Sequence, residues 1–319
     1  MPASSDHLRI AGAQLAPVWL DREATLAKVV ATVHEAAAAG ARLVAFPEAF
    51  VPGYPFWIEW TDGARFDAPL QKVWHAHYLD QAVQIEAGHL DEVVAASRTA
   101  HITVVLGVIE RPADRGGHSV FASLVIITPA DGIVNVHRKL MPTYEERLSW
   151  SPGDGHGLRT VPVGPFTLGA LNCWENWMPL ARSALYAQGE NLHVALWPGS
   201  VRNTEAITRF IAREGRSYVL SVSGLLRHDD IGDHLPHADV LRRHLPAMMG
   251  EGGTCLAGPD AHWIIEPTPH EERLFVADLD HTRVREERQN FDAAGHYARP
   301  DVLQLQVNRE RQRSVHFRD

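Results

Sequence analysis

The stretch FTLGALNCWENWMPLARSALYAQ, residues 166–188, contains the transition that decides the fold. Residues 166–172 form a short, mostly apolar run, which predicts a buried strand. Proline suits the first turn of a helix, and the pattern that starts at Pro179 predicts a helix over residues 179–188. Cys173 therefore stands directly after a strand, where α/β proteins commonly place functional groups.

The same succession of strand and helix occurs at the start of the chain. Residues 9–15 predict a strand, and Asp21 precedes a helical pattern that ends at Gly40. Residues 42–46 predict the next strand, which ends just before Glu48. Glu48 is thus expected in the same position relative to its strand as Cys173.

The rest of the chain mixes hairpin-like and alternating patterns. Further strands are predicted over residues 103–109, 119–128, 133–137, 192–196, 218–223, 254–257, 262–265 and 274–278. Further helices are predicted over residues 70–84, 90–100 and 203–215. The proline-rich residues 51–60 are predicted to form an aromatic loop without regular structure.

These patterns predict one mixed α/β domain in which two sheets pack together. No repeat or low-complexity linker divides the 319 residues, so we expect a single domain over residues 1–280. Residues 281–319 are expected to form a C-terminal extension, and the arginine-rich part from Arg299 onward reads as a tail.

Composition and charge argue against several classes of partner and site. A net charge of −9 and a pI near 6.1 argue against a partner such as nucleic acid or an anionic membrane. The N-terminus lacks the pattern of a secretory leader, and no apolar run reaches the length of a membrane span, so a cytoplasmic location is expected. Two cysteines are too few for a disulfide framework or a zinc site, which leaves room for a reactive thiol.

Three segments place an ionisable side chain after a predicted strand. They are FPEAFVPGYP around Glu48, VHRKLMPTYEERLSW around Lys139, and LNCWENWMPLAR around Cys173. A thiol nucleophile needs a base for its proton and a positive group to stabilise the charge that develops on the substrate. Each residue taken alone also has an ordinary structural explanation. Cys173 could be a small buried side chain, Lys139 a surface charge and Glu48 a helix cap.

Together, these segments resemble the nitrilase superfamily, and the similarity extends from GAQLAPVWLD (12–21) to GTCLAGPD (253–260) and GHYARPDVLQLQVN (295–308). The resemblance implies a four-layer α-β-β-α sandwich of two mixed sheets. It also implies a catalytic set of Glu48, Lys139 and Cys173, with Glu146 as a second carboxylate that positions the lysine and the substrate. It implies no cofactor and no metal. CWEN at 173–176 is similar to the nitrilase and cyanide-degrading branch rather than to the amidase branch.

The same resemblance supplies expectations about partners and assembly. The substrate is expected to be a small nitrile, with water as co-substrate. A homo-oligomer is expected, a dimer or larger and possibly a spiral or filament, with contacts near residues 55–80 and 225–245 and in the C-terminal extension. Met141 stands where some relatives carry a second lysine.

A nitrile has few hydrogen-bonding groups, so its pocket should be mostly apolar. Candidate substrate-binding residues are the aromatic side chains Tyr54, Trp57, Trp60, Trp174 and Trp197. The histidine- and aspartate-rich residues 228–237 lack a recognised ligand spacing and are predicted to be a solvated loop rather than a metal site.

Other functions stay open from the sequence. A cyanide dihydratase or hydratase would use the same three residues, and an amidase would act on a related carbonyl substrate. A catalytically silent assembly protein would be expected to lack at least one of Glu48, Lys139 and Cys173, whereas all three are present.

Overall fold

The computed structural model describes residues 6–313 and 315. The strands of this part, in chain order, are β1 (His7–Gln14), β2 (Leu43–Ala45), β3 (Thr103–Glu110), β4 (Phe121–Thr128), β5 (Gly132–Arg138), β6 (Val161–Val163), β7 (Phe166–Asn172), β8 (Leu192–Trp197), β9 (Tyr218–Ser223), β10 (Leu225–Arg227), β11 (Met248–Ala257), β12 (Trp263–Pro269) and β13 (Arg273–Asp280). The helices are α1 (Arg22–Ala38), α2 (Trp57–Trp60), α3 (Pro69–Gln81), α4 (Asp91–Ala100), α5 (Pro179–Tyr186), α6 (Val201–Gly215), α7 (Ala238–His244) and α8 (His281–Arg288).

The strands form two mixed sheets. The first runs β13-β1-β2-β3-β4-β5, and the second runs β10-β11-β9-β8-β7-β6 with β12 paired to β11. The centre of each sheet is parallel, with β1-β2-β3 in the first and β7-β8-β9 in the second, and the flanking strands are antiparallel. Parallel centres align the carboxyl ends of neighbouring strands at one edge of each sheet.

The inner faces of the two sheets pack on each other. Leu43, Val105 and Leu124 of the first sheet share one apolar core with Val194 and Leu220 of the second. Helices α1 and α4 cover the outer face of the first sheet, while α5 and α6 cover that of the second. The predicted α-β-β-α sandwich of two mixed sheets is therefore confirmed.

Local sequence explains the main boundaries. The Asp21 carboxylate accepts the N–H of Ala24 at 3.0 Å and so caps α1. Pro179 occupies the first turn of α5, where its missing N–H costs nothing. The predicted strand over residues 166–172 matches β7 to the residue.

Several local predictions were wrong. Residues 51–60 were predicted to lack regular structure, yet a single helical turn, α2, forms because both prolines precede it. Strand β11 starts at Met248 rather than at residue 254, since its glycines weaken the strand pattern. The short elements β6, β10 and α7 were missed because they carry too few residues to show a period.

The chain after β13 continues directly as α8. Beyond α8 the chain packs back on the main body. The Arg311 guanidinium donates to Asp154 Oδ1 at 3.0 Å and to the carbonyl of Val136 at 3.0 Å. Whether residues 281–319 form a separate extension with a role in assembly stays a prediction. No helix within residues 6–313 is long and apolar enough to cross a bilayer.

Candidate active site

Four ionisable side chains converge where the two sheets meet. Lys139 follows β5 directly and Glu48 lies three residues after β2, so both come from the first sheet. Cys173 follows β7 and comes from the second sheet. Glu146 lies in a 3-10 turn, Tyr144–Leu148, which follows Lys139 along the chain. The site is therefore built by both halves of the sandwich.

The Lys139 ammonium is the centre of the group. Its Nζ lies 2.9 Å from Glu48 Oε1 and 2.7 Å from Glu146 Oε2. Cys173 and the two glutamates each offer a reactive atom, and these atoms all lie within 4.8 Å of one another. Each of the four side chains is at most 2% exposed, so water screens their charges little.

The backbone at Cys173 bends sharply from the strand into a 3-10 turn, Cys173–Trp177. Cys173 has φ 48°, a left-handed conformation that is uncommon for a residue with a side chain. Residues held in such conformations cluster at functional sites, and a sharp turn after a strand is a known way to present a nucleophile.

Asn176 holds this turn against β8. Its Nδ2 donates to the carbonyl of Cys173 at 2.8 Å, and its Oδ1 lies 2.7 Å from Nε2 of His193. Because Nδ2 faces a carbonyl, Oδ1 must accept, and His193 therefore donates from Nε2. On its other side, His193 Nδ1 lies 2.8 Å from Glu190 Oε1.

A glycine on β3 makes room for Glu48. A Cβ built on Gly107 would lie 2.1 Å from the carbonyl oxygen of Pro47 and 2.7 Å from the Cα of Glu48. The backbone N–H of Val51 also donates to the Gly107 carbonyl at 3.2 Å. The turn that carries Glu48 therefore packs against bare backbone, which only glycine provides.

Glu146 is fixed by a capping box. The backbone N–H of Thr143 donates to Glu146 Oε2 at 2.6 Å, and the Thr143 side chain caps the turn in return. The Tyr54 hydroxyl donates to Glu146 Oε1 at 2.9 Å and also lies 3.2 Å from Glu145 Oε1. The spacing Thr-x-x-Glu in TYEE (143–146) is the sequence signal of this capped turn.

Burial and mutual charge set the protonation of the site. Burial raises the pKa of Glu48 to about 8, and Lys139 opposes this only in part. Burial also raises the pKa of Cys173 well above its usual range, against the attraction of Lys139. For Lys139, burial acts to lower the pKa, yet the surrounding acids raise it well above the ordinary value. The ammonium is thus permanently charged, while Glu48 can exchange a proton near neutral pH.

The three acidic groups also satisfy the distance requirement for a metal site, because Glu48, Glu146 and Cys173 cluster tightly. The Lys139 ammonium lies against both carboxylates, in the position that a cation would take. The donor set is therefore already neutralised by a side chain. In the histidine- and aspartate-rich segment 228–237, the side chains contact protein groups. His228 Nε2 lies 2.8 Å from the Arg242 carbonyl, and Asp233 forms an ion pair with Arg242 at 2.6 Å.

The predicted aromatic residues do not gather in one place. Tyr54 contacts the buried group of Glu48, Lys139, Glu146 and Cys173 through its hydrogen bond to Glu146. Trp57 and Trp197 are buried in two different apolar clusters. Trp57 packs on Trp19 and Tyr78, while Trp197 belongs to the cluster that contains Cys173 and donates to Ser221 Oγ at 3.2 Å. Trp60 and Trp174 are exposed. Their role in substrate binding stays a prediction, and that of Tyr54 has the most direct geometric support.

An open cavity of about 530 Å³ lies against Tyr144, Glu145 and Leu148, on the turn that carries Glu146. Glu145 forms part of its wall; this residue precedes Glu146 along the chain, and its Oε1 lies 3.2 Å from the Tyr54 hydroxyl. Ile58 and Leu148 supply apolar wall, and Glu59 supplies a further carboxylate. None of Glu48, Lys139, Glu146 and Cys173 lines this cavity itself.

Comparison with known proteins identifies the protein family of this chain. The model of the carbon-nitrogen hydrolase family matches residues 9–289. This chain belongs to the carbon-nitrogen hydrolase family. An aliphatic nitrilase from Sinorhizobium fredii is 36% identical over 307 residues, which cover 96% of this chain and 97% of the relative. A nitrilase from Pseudomonas syringae is 38% identical over 318 residues, covering 95% of this chain and 90% of the relative.

A solved structure supports the fold independently. A carbon-nitrogen hydrolase from Helicobacter pylori aligns with a TM-score of 0.69 over 92% of this chain and 96% of its own. Its sequence is only 16% identical, so this likeness bears on the fold and not on the substrate.

Proposed function

We propose that this protein is a nitrilase, which converts a nitrile and two water molecules into a carboxylic acid and ammonia. The observation that carries the proposal is the buried group in which the Lys139 ammonium lies between two carboxylates, close to the Cys173 thiol. The nitrilases of Sinorhizobium fredii and Pseudomonas syringae, similar to this chain over nearly its full length, support a nitrile as substrate.

In the first half of the reaction, Cys173 is the nucleophile and Glu48 the base. Oε2 of Glu48 has no hydrogen-bond partner among the described residues, so it is free to accept the thiol proton. The sulfur then bonds to the nitrile carbon, and Glu48 returns the proton to nitrogen to give a thioimidate. A base whose pKa lies near the working pH can carry out both transfers.

In the second half, Glu48 takes a proton from water, and the resulting hydroxide adds to the thioimidate carbon. Lys139 has three N–H bonds, and Glu48 and Glu146 engage two of them. The third is available for the negative charge of the tetrahedral intermediate, which a dry site stabilises strongly. Protonated nitrogen leaves as ammonia, and a second water cleaves the thioester to release the acid and the thiol.

Product analysis tests this proposal. The purified protein is incubated with aliphatic and aromatic nitriles, hydrogen cyanide and the matching amides, while acid, amide and ammonia are quantified separately. We expect acid and ammonia from organic nitriles, and no product with the Cys173→Ala variant. Turnover of cyanide alone would assign a cyanide-degrading enzyme instead, and turnover of amides alone would assign an amidase.

We also propose that the protein forms a homo-oligomer in the cytoplasm. Three exposed aromatic rings form a continuous stack, in which Trp177 lies 6.2 Å from Trp174 and 6.4 Å from Phe210. All three rings are exposed, and exposed apolar surface of this kind is often covered by subunit contacts. Free thiols at Cys173 and Cys255 suit a reducing compartment. Light scattering after size-exclusion chromatography should give at least twice the 35.4 kDa chain mass, and a monomer would contradict the proposed association.

A further inference from the structure

The buried carboxylate of Glu175, two residues after Cys173, has no part in the chemistry above. Its Oε1 accepts the backbone N–H of Leu140 at 2.5 Å, and its Oε2 accepts the backbone N–H of Asn172 at 3.0 Å. Leu140 directly follows Lys139, and Asn172 directly precedes Cys173. One carboxylate therefore joins the two chain segments that carry the ammonium and the nucleophile.

A third donor lies on the same side as Lys139. His137 Nε2 is 3.1 Å from both oxygens of Glu175, and both side chains are fully enclosed. Burial acts to raise the pKa of Glu175, but His137 and the two backbone N–H groups outweigh it, so the pKa is lowered. An ionised carboxylate can only accept hydrogen bonds, which fits three donors around it.

The two joined segments belong to different sheets. The Lys139 N–H donates to the carbonyl of Ala122 on β4, which fixes this segment to the first sheet. The turn at Cys173 is fixed to the second sheet through Asn176 and His193 on β8. These hydrogen bonds hold each segment to its own sheet. Between the segments lies apolar packing, including that of Leu140 on the cluster that contains Leu171, and Glu175 adds directional hydrogen bonds to both.

We propose that Glu175 is a positioning residue, which sets the separation of the Lys139 ammonium and the Cys173 thiol by hydrogen bonding to the backbone beside each. The role deepens the proposed nitrilase function and rests on it. A small misplacement of reacting groups can lower a catalytic rate by about a hundredfold without preventing substrate binding. Loss of the carboxylate should therefore change kcat far more than KM.

The test compares Glu175→Gln with wild type. Glutamine keeps the size of the side chain but has one accepting oxygen, so its NH2 group faces one of the backbone donors and that bond is lost. We expect kcat for a nitrile to fall by about 10- to 100-fold, with KM changed less than threefold.

Glu110→Gln is the matched control. Glu110 is another buried carboxylate, and it pairs at 2.7 Å with Arg138, the neighbour of Lys139. It is not among the groups that contact the Cys173 turn. We expect this variant to lower the unfolding midpoint with kcat within threefold of wild type. The proposal is overturned if Glu175→Gln keeps wild-type kcat, or if Glu110→Gln loses as much.

A second variant and a second measurement distinguish a loss of positioning from a folding defect. Glu175→Asp keeps the charge but is one methylene shorter, so it cannot reach both backbone donors, and the same loss of kcat is expected. Alkylation of Cys173 by iodoacetamide, followed by mass spectrometry of its peptide, should slow by about tenfold or more in either variant.

Alkylation also separates the two proposals. A wild-type protein without nitrile turnover contradicts the nitrilase function, while slower alkylation in the variants still supports positioning. Unchanged alkylation, or failure of both variants to fold, overturns the positioning role and leaves Glu175 as a residue needed for folding.

Discussion

Replacing the proposed base by its neutral isostere, Glu48→Gln, should abolish turnover and yet make the protein more stable. The side chain is 2% exposed, and its pKa is raised from 4.5 to about 8. At pH 7 the carboxyl is therefore mostly protonated in the folded protein and ionised in the unfolded chain. Ionisation favours the unfolded chain, so the stability that this group supplies below pH 4.5 is lost as the pH rises through 8.

The magnitude follows from the size of the pKa difference. Each pH unit between the unfolded value and the working pH is worth about 1.4 kcal/mol, up to the folded value. The penalty for Glu48 is therefore about 3 kcal/mol at pH 7 and less than about 1 kcal/mol at pH 5. Glutamine cannot ionise, and it places one donor and one acceptor as the protonated carboxyl does, so the variant escapes this penalty.

The assay is equilibrium unfolding in urea at pH 5, 7 and 8 for both proteins. We expect the advantage of Glu48→Gln in the free energy of unfolding to grow from under about 1 kcal/mol at pH 5 to about 3 kcal/mol at pH 7. Glu110→Gln serves as the control, because it breaks a buried ion pair with Arg138 and should be less stable than wild type. A Glu48→Gln protein that is less stable throughout, or whose advantage does not rise with pH, would refute the reasoning.

Three further predictions follow from the site. The pH profile of kcat/KM should rise toward a plateau with an apparent pKa near 8, because Glu48 must be ionised to act as a base; a flat profile between pH 6 and 8 would contradict this. Gly107→Ala should lower kcat by about 100-fold or more, because its Cβ would displace the turn that carries Glu48, and wild-type kinetics would show that the close approach to Pro47 is unimportant. Lys139→Met should unfold more easily at pH 8 than at pH 5 relative to wild type, since the buried carboxylate of Glu48 loses the cation that favours its ionised form; urea unfolding at both values checks this, and an equal loss at both would count against it.

Much of the architecture was predictable because it depends on the periodicity of apolar residues and on the capping, proline and glycine residues that bound each element. The strand over residues 166–172 and the helix capped by Asp21 both have long apolar patterns bounded by clear signals, and both formed as predicted. The catalytic candidates were found by the type of residue after each strand together with the resemblance of the segments around them. The structure adds their proximity, which no local pattern contains.

What the sequence did not reveal are residues whose role depends on distant partners. Gly107 lies in a strand that reads as uniformly apolar, and its importance arises only from the backbone of Pro47 and Glu48, about sixty positions earlier. Glu175 was noted only as part of CWEN, although Asn-x-x-Glu marks it as a capping residue. Its contact with His137 required the two sheets to be in place.

The proposed catalytic groups come from two different sheets, and this has a mechanical consequence. The proposed base Glu48 and the Lys139 ammonium are carried by the first sheet, and the proposed nucleophile Cys173 is carried by the second, so sliding of one sheet over the other would change the distances between them. The interlocked side chains between the sheets, such as Val105 and Val194, therefore help to fix the distances between the proposed reacting groups, and they also stabilise the fold. In laboratory evolution of this protein, changes in rate should arise from substitutions in that shared core as well as from the residues around the thiol.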